Sequence, residues 1–145
     1  MGFDQVDLDT IRDRVREVVA DLPNVAAAYL FGSALAGGFR VDSDIDIALF
    51  LIGVPVDSRE ADLIAGAVGL RLVPLGSHEF DVNVIDISDT LFAFRVISEG
   101  MPLQVNDEAH MAELMEKVSR AYAEDGYWYC LAVEEIVREA GSHEA

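Results

Sequence analysis

The sequence predicts a single domain of the α+β class. Its length of 145 residues and its hydrophobic fraction of 52% suit one core. Helix-like and strand-like apolar patterns alternate along the chain, and no linker-like stretch divides it. We therefore expect one domain over residues 1–145, with an α/β core to about residue 105 and C-terminal helices over about 107–140.

The first half of the chain predicts two helices and two strands. Apolar residues at helical spacing predict a first helix that ends by Pro23. Two continuous apolar runs, over 25–31 and 45–52, predict buried strands. Ser58 can cap a second helix, which its internal glycines weaken by roughly 1 kcal/mol each.

The second half begins with a strand pattern and ends in helices. Residues 78–87 alternate and are rich in β-branched side chains, which predicts a strand. A short helix from Asp89 to Glu99 follows, closed by Gly100, and 101–105 is a candidate edge strand. Apolar residues then repeat at helical spacing on both sides of Gly126, which predicts two C-terminal helices.

Charge and cysteine content exclude several classes of protein. The net charge of −17, from 27 acidic and 10 basic residues, disfavours direct binding to nucleic acid phosphates. No segment is long and apolar enough to predict a membrane span. Cys130 is the only cysteine, so no internal disulfide can form, and we expect a cytoplasmic protein. The three histidines lack zinc-ligand spacing and are expected at the surface.

The informative segment runs from Gly32-Ser33 to Asp44-Ile45-Asp46. Residues two apart on a strand point to the same face, about 7 Å apart, so Asp44 and Asp46 should share one patch. Two adjacent carboxylates repel unless a cation compensates, and hard oxygen ligands favour Mg²⁺ or Mn²⁺ over softer metals. Gly32 lets the backbone approach a phosphate, and the Ser33 hydroxyl can donate to its oxygens. These residues suit a metal-bound triphosphate.

Gly-Ser, ten intervening residues and Asp-x-Asp resemble the signature of the DNA polymerase β-like nucleotidyltransferases, and in particular the small members called minimal nucleotidyltransferases. The resemblance implies a small mixed β-sheet flanked by helices. It also implies a third carboxylate on a later strand. Asp81 in Phe80-Asp81-Val82 matches that pattern, and Asp86 is the alternative.

The resemblance implies roles for these residues. Asp44, Asp46 and Asp81 are expected to be catalytic and to hold two Mg²⁺ ions with the bound nucleotide, while Gly32 and Ser33 hold its phosphates. Many relatives carry arginine three residues after the serine, where this chain has Ala36. Arg40, from the same loop, could contact the nucleotide instead, or it could simply face solvent.

The C-terminal half includes the turn Ser98-Glu99-Gly100 and the helix end Ala121-Tyr122-Ala123-Glu124-Asp125. With these segments it resembles the MntA-type antitoxins that pair with HEPN-domain RNase toxins. Those proteins transfer AMP from ATP to a tyrosine of the toxin, so the resemblance implies ATP and a HEPN toxin as partners, in a homo- or hetero-oligomer. Two alternatives stay open: a nucleotidyltransferase acting on an aminoglycoside-like small molecule, and a non-catalytic antitoxin that only blocks its toxin. The methionines and tyrosines from Met111 to Tyr129 occur at core spacing and are expected to pack in the core, although one exposed face could dock a partner helix.

Overall fold

The computed structural model describes residues 8–32, 44–53 and 58–144 and has the α+β fold that the sequence predicts. Within these ranges the elements occur in the expected order until the C-terminus. They are α1 (Leu8–Val19), β1 (Val25–Phe31), β2 (Ile45–Leu51), α2 (Ser58–Arg71), β3 (Phe80–Val84), α3 (Thr90–Glu99), β4 (Met101–Val105) and α4 (Glu108–Glu144).

The four strands form one mixed sheet in the order β3-β2-β1-β4. β1 pairs antiparallel with β2 and with β4, whereas β2 and β3 run parallel. The parallel pair needs a long crossover, and the segment that contains α2 provides it. The expectation that 101–105 is an edge strand is confirmed, and β3 forms the opposite edge.

Helices cover both faces of the sheet. α1 and α2 pack on one face, where the buried set includes Ile11, Val15 and Val68 with Leu30, Ile47 and Leu49 of the sheet. α3 and α4 pack on the other, against Ala48 and Phe50. A strand buried on both faces can be apolar at every position. This is why β1 and β2 appear in the sequence as continuous apolar runs.

The boundaries of α3 were readable from the sequence. The Asp89 carboxylate caps the helix by accepting a hydrogen bond from the Phe92 backbone N–H at 3.3 Å. At the other end the Gly100 N–H donates to the Val96 carbonyl at 2.8 Å. A Cβ at Gly100 would press against that same carbonyl oxygen. The predicted helix from Asp89 to a closing Gly100 is therefore confirmed.

The prediction of two C-terminal helices separated by Gly126 is wrong, because α4 is one continuous helix from Glu108 to Glu144. A glycine inside a helix costs only about 1 kcal/mol relative to alanine. The turns on both sides are built largely from good helix formers such as alanine, glutamate and leucine, which offset that cost. A single glycine therefore does not end this helix.

Two further expectations about the chain can be compared with the structure. His78 is 3% exposed, so the expected surface position is wrong for this histidine, whose backbone pairs with Leu75 beside β3. Within the described ranges no helix is long and apolar enough to cross a membrane.

Candidate active site

The aspartates lie at one end of the central strands. β2 and β3 align so that Asp46 and Asp81 are direct partners, and Phe31 of β1 is the partner of Asp46 on the other side. Side chains of paired residues project from the same face of a sheet, on strands about 4.8 Å apart. Asp44 is exposed and lies immediately before β2. The pairing of β2 with β3 thus brings the carboxylates of Asp46 and Asp81 close together.

Electrostatics link all three acids. Burial raises the pKa of the Asp46 carboxyl, and the negative charges of Asp81 and Asp44 raise it further. Asp46 is the partly buried member of the group, whereas Asp44 and Asp81 are exposed. A carboxylate that is both desolvated and repelled by two neighbours is stabilised by a nearby cation.

Gly32 brings the backbone after β1 close to the acidic patch. Its φ is +82°, a left-handed conformation that favours glycine. A Cβ added at Gly32 would collide with Oδ2 of Asp46. The positive φ favours glycine here, and the close contact shows that Gly32 lies directly against the carboxylate of Asp46.

The donor set fits a hard divalent cation in its chemistry, because it consists of carboxylate oxygens beside a backbone turn. Among residues 8–32, 44–53 and 58–144, no three acidic, histidine or cysteine side chains are already arranged to hold a metal ion. The exposed side chains of Asp44 and Asp81 can change rotamer on the picosecond to nanosecond timescale. A bound ion would therefore draw these two carboxylates towards Asp46.

Asp86, the alternative third acid, has a different local role. Its Oδ1 accepts hydrogen bonds from the Ser88 N–H at 2.9 Å and the Ser88 hydroxyl at 2.6 Å. These bonds lower the pKa of the Asp86 carboxyl. Asp86 lies beyond the end of β3, where it stabilises the turn that leads into α3. The register of the sheet thus favours Asp81 over Asp86 as the neighbour of Asp46.

Three positions singled out in the sequence, Ser33, Ala36 and Arg40, lie outside the described residues. The proposed phosphate contacts of Ser33 and Arg40 therefore stay predictions. Gly32, at the start of the same segment, is the only one of these candidate nucleotide-binding residues that the structure describes.

The sequence did not predict a pair of aromatic side chains that lies beside the acids. Phe31, the strand partner of Asp46, makes an edge-to-face contact with Phe92 of α3, with ring centroids 5.8 Å apart. Phe92 and its neighbour Leu91 are exposed. The position of Phe31 before the Gly-Ser turn was visible in the sequence. The approach of α3 depends on tertiary packing, which no local pattern reveals.

Comparison with known families identifies the class of protein that this fold and site define. The family model for the polymerase beta nucleotidyltransferase domain matches residues 13–109, about two thirds of the chain. The match includes β1, the Gly-Ser turn, Asp44, Asp46 and Asp81. The chain belongs to the polymerase beta nucleotidyltransferase family, as its motif predicted.

Solved structures with the same fold come from toxin–antitoxin complexes. One is a toxin–antitoxin complex with AMP-PNP, at 20% identity and a TM-score of 0.59, covering 87% of this chain and 98% of the other. A second is a tri-AMPylated HEPN toxin of Shewanella oneidensis with its MNT antitoxin, at 19% identity and a TM-score of 0.59, covering 87% and 95%.

A third is the MntA-HepT toxin–antitoxin complex, at 19% identity and a TM-score of 0.56, covering 89% of this chain and 95% of the other. Identities this low establish the shared fold and nothing finer. Comparison with curated proteins finds no significant match.

Proposed function

We propose that this protein transfers AMP from ATP to a tyrosine hydroxyl of a HEPN-domain RNase toxin and so acts as its antitoxin. The observation that carries the catalytic part is the pairing of Asp46 with Asp81 beside Gly32. The protein acceptor is supported by the resemblance of the sequence to MntA-type antitoxins. It is further supported by solved relatives in which an AMP-PNP complex and an AMPylated toxin occur.

Asp44, Asp46 and Asp81 would hold Mg²⁺, which when bound neutralises triphosphate charge and stabilises the attacking and leaving oxygens. The tyrosine oxygen attacks the α-phosphorus of ATP, and the bond between that phosphorus and the α–β bridging oxygen breaks. Asp81, exposed at the sheet edge, accepts the hydroxyl proton and passes it to solvent. The products are a tyrosine–AMP phosphodiester and pyrophosphate.

The remaining residues position the nucleotide. The turn at Gly32 brings backbone close to Asp46, and in the proposed site this backbone and the Ser33 hydroxyl donate to the phosphate oxygens. Many relatives carry an arginine at the position of Ala36. In the proposed site Arg40 supplies the positive charge to the phosphates instead. Phe31 and Phe92 limit water access on the α3 side.

ATP as donor and the free, exposed Cys130 are in keeping with a cytoplasmic location. The acceptor is expected to be encoded by a neighbouring reading frame that carries arginine, four to six residues, histidine, one residue and tyrosine. That product, once purified, is the substrate for the test.

The experiment incubates the acceptor with α-labelled ATP, Mg²⁺ and either the wild-type protein or Asp44→Asn. We expect label on the acceptor tyrosine with the wild type only, together with loss of RNase activity. Inhibition of the RNase by both proteins, with no label transferred, would establish a non-catalytic antitoxin instead. In a parallel reaction that also contains an aminoglycoside, label on that compound but not on the acceptor protein would establish a small-molecule enzyme.

A further inference from the structure

The C-terminal part of α4 extends beyond the folded body. The first turns of α4 bury Met111, Leu114 and Val118 against the sheet, and Tyr122 stacks on Phe94 with ring centroids 3.9 Å apart. After that contact, every residue of α4 whose burial is described is exposed, except Gly126. We call residues 123–144 the α4 arm. At 1.5 Å per residue it is about 33 Å long.

The α4 arm carries an apolar stripe although the described residues along it, other than Gly126, are exposed. The helical stripe that buries Met111 and Val118 continues along the same side through Val133 and Ile136. Ile136 and Val137 are 65% and 63% exposed. A stripe that forms core in the first half of a helix is therefore exposed in the second half.

Exposed aromatic side chains occur near the start of the α4 arm, on other sides of the helix than the stripe. Tyr127 and Trp128 contact each other edge to face, with ring centroids 5.5 Å apart, and Trp128 is 63% exposed. Leu131, one turn further on, is also exposed. Tryptophan and tyrosine dominate the energetics of protein–protein interfaces. Exposed apolar side chains thus surround the α4 arm, and surface this rich in large apolar groups marks interaction sites on soluble domains.

Charge selects the kind of partner. Between residues 123 and 141 the sequence contains five acidic residues and one arginine, so the apolar stripe has an acidic border. Two copies of the α4 arm would bring like charges together, on chains that each carry a net charge of −17. A basic surface with an apolar groove is complementary in both respects.

The sheet places the α4 arm on the side of the molecule that carries the acids. Ala48 and Phe50 of β2 point into the core formed with α3 and α4. Asp46 precedes Ala48 by two residues on the same strand and so faces the same side. A protein held by the α4 arm is therefore held on the side of the sheet from which Asp46 and Asp81 project.

We propose that the α4 arm is the docking element for the acceptor protein, and that the acceptor binds it through a basic surface with an apolar groove. This inference rests on the proposed function, because it names the surface that brings the acceptor to the site. Docking raises the effective concentration of the acceptor hydroxyl near the nucleotide. The α4 arm thus controls KM for the acceptor and leaves the chemical step unchanged.

The test compares two double variants of exposed apolar residues. Trp128→Ala with Ile136→Ala alters the α4 arm, and Leu63→Ala with Leu70→Ala alters α2, on the opposite side of the sheet. Leu63 and Leu70 are 66% and 90% exposed, so they match the arm residues in character. Calorimetry then measures the affinity for the purified product of the neighbouring reading frame, without ATP, and steady-state kinetics measure transfer from ATP.

We expect the arm variant to weaken acceptor binding by at least about 30-fold and to raise KM with kcat unchanged, because buried anchor residues dominate such interfaces. The α2 variant should behave as the wild type. Wild-type affinity should fall as NaCl is raised, as charge complementarity requires. Asp44→Asn should bind the acceptor normally.

Three outcomes would overturn the docking role: equal affinity of the arm variant and the wild type, no acceptor binding by the wild type, or a wild-type dimer that the arm variant dissociates while acceptor binding persists. The last would show that a second copy of the chain occupies the α4 arm. If the wild type binds the acceptor through the α4 arm but transfers no AMP, docking holds and the proposed transfer fails.

Discussion

The acidic patch and the α4 arm each carry a physical cost that the described part of the chain does not offset, and the two costs are of opposite kinds. At the patch, Asp46 is partly desolvated and repelled by two other carboxylates, so the cost is electrostatic. On the α4 arm, Trp128 and Ile136 hold apolar surface in water, so the cost is hydrophobic. A small cation can relieve the first, whereas only another macromolecule can relieve the second. The electrostatic cost at the patch therefore indicates a small ion as ligand, and the hydrophobic cost on the α4 arm indicates a macromolecule.

The largest expected effect concerns the patch. Asp46→Asn should lower the rate of AMP transfer on the order of 10³-fold, because metal-mediated charge stabilisation contributes several kcal/mol to the transition state. The fold should persist, since removing one of three like charges relieves repulsion. Transfer assays and thermal melts in EDTA measure both quantities. A variant that is inactive because it unfolds would count against a metal-binding role.

The next prediction compares the two halves of α4. Leu114, 7% exposed, packs in the core, so Leu114→Ala should lower the free energy of unfolding by about 3 kcal/mol. Ile136→Ala in the α4 arm should change it by less than about 0.5 kcal/mol. Urea unfolding of the isolated protein measures both. Equal losses would mean that the α4 arm packs against this chain or against a second copy.

A third pair of variants tests which acid completes the patch. Asp81→Asn should reduce transfer by about 100-fold, because it removes the carboxylate that the register places beside Asp46. Asp86→Asn, which only alters the hydrogen bonds to Ser88, should keep most of the activity. Initial rates at saturating ATP and Mg²⁺ distinguish them. The reverse ranking would make Asp86 the third carboxylate.

The smallest effect is a pH dependence of stability without metal. The raised pKa of Asp46 means that the folded state holds this proton more tightly than the unfolded state does. Folding is therefore penalised as pH rises above about 4, where an aspartate in the unfolded chain is already ionised. In EDTA, the stability advantage of Asp46→Asn over the wild type should grow with pH from 4 upward and then level off. A constant difference in melting temperature would contradict this.

Local patterns predicted most of the fold and part of the site. Period and capping signals predicted α3, and the motif predicted that Asp44 and Asp46 are neighbours. Choosing between Asp81 and Asp86 required the register of β3 against β2, which is a long-range alignment. Whether the apolar side of a helix becomes buried also depends on residues that are distant in the sequence. The same periodicity produced core at Leu114 and exposed surface at Ile136, and no spacing rule separates the two.

β3 lies at the margin of the sheet, with β2 as its one neighbouring strand, and it carries Asp81. Marginal strands open more readily than central ones, so we expect the segment that carries one of the three acids to open while β1 and β2 stay intact. Binding of nucleotide with Mg²⁺ at the site and pairing of β3 with β2 are then thermodynamically linked. Saturating nucleotide with Mg²⁺ should slow deuterium uptake at the β3 amides far more than at those of β1.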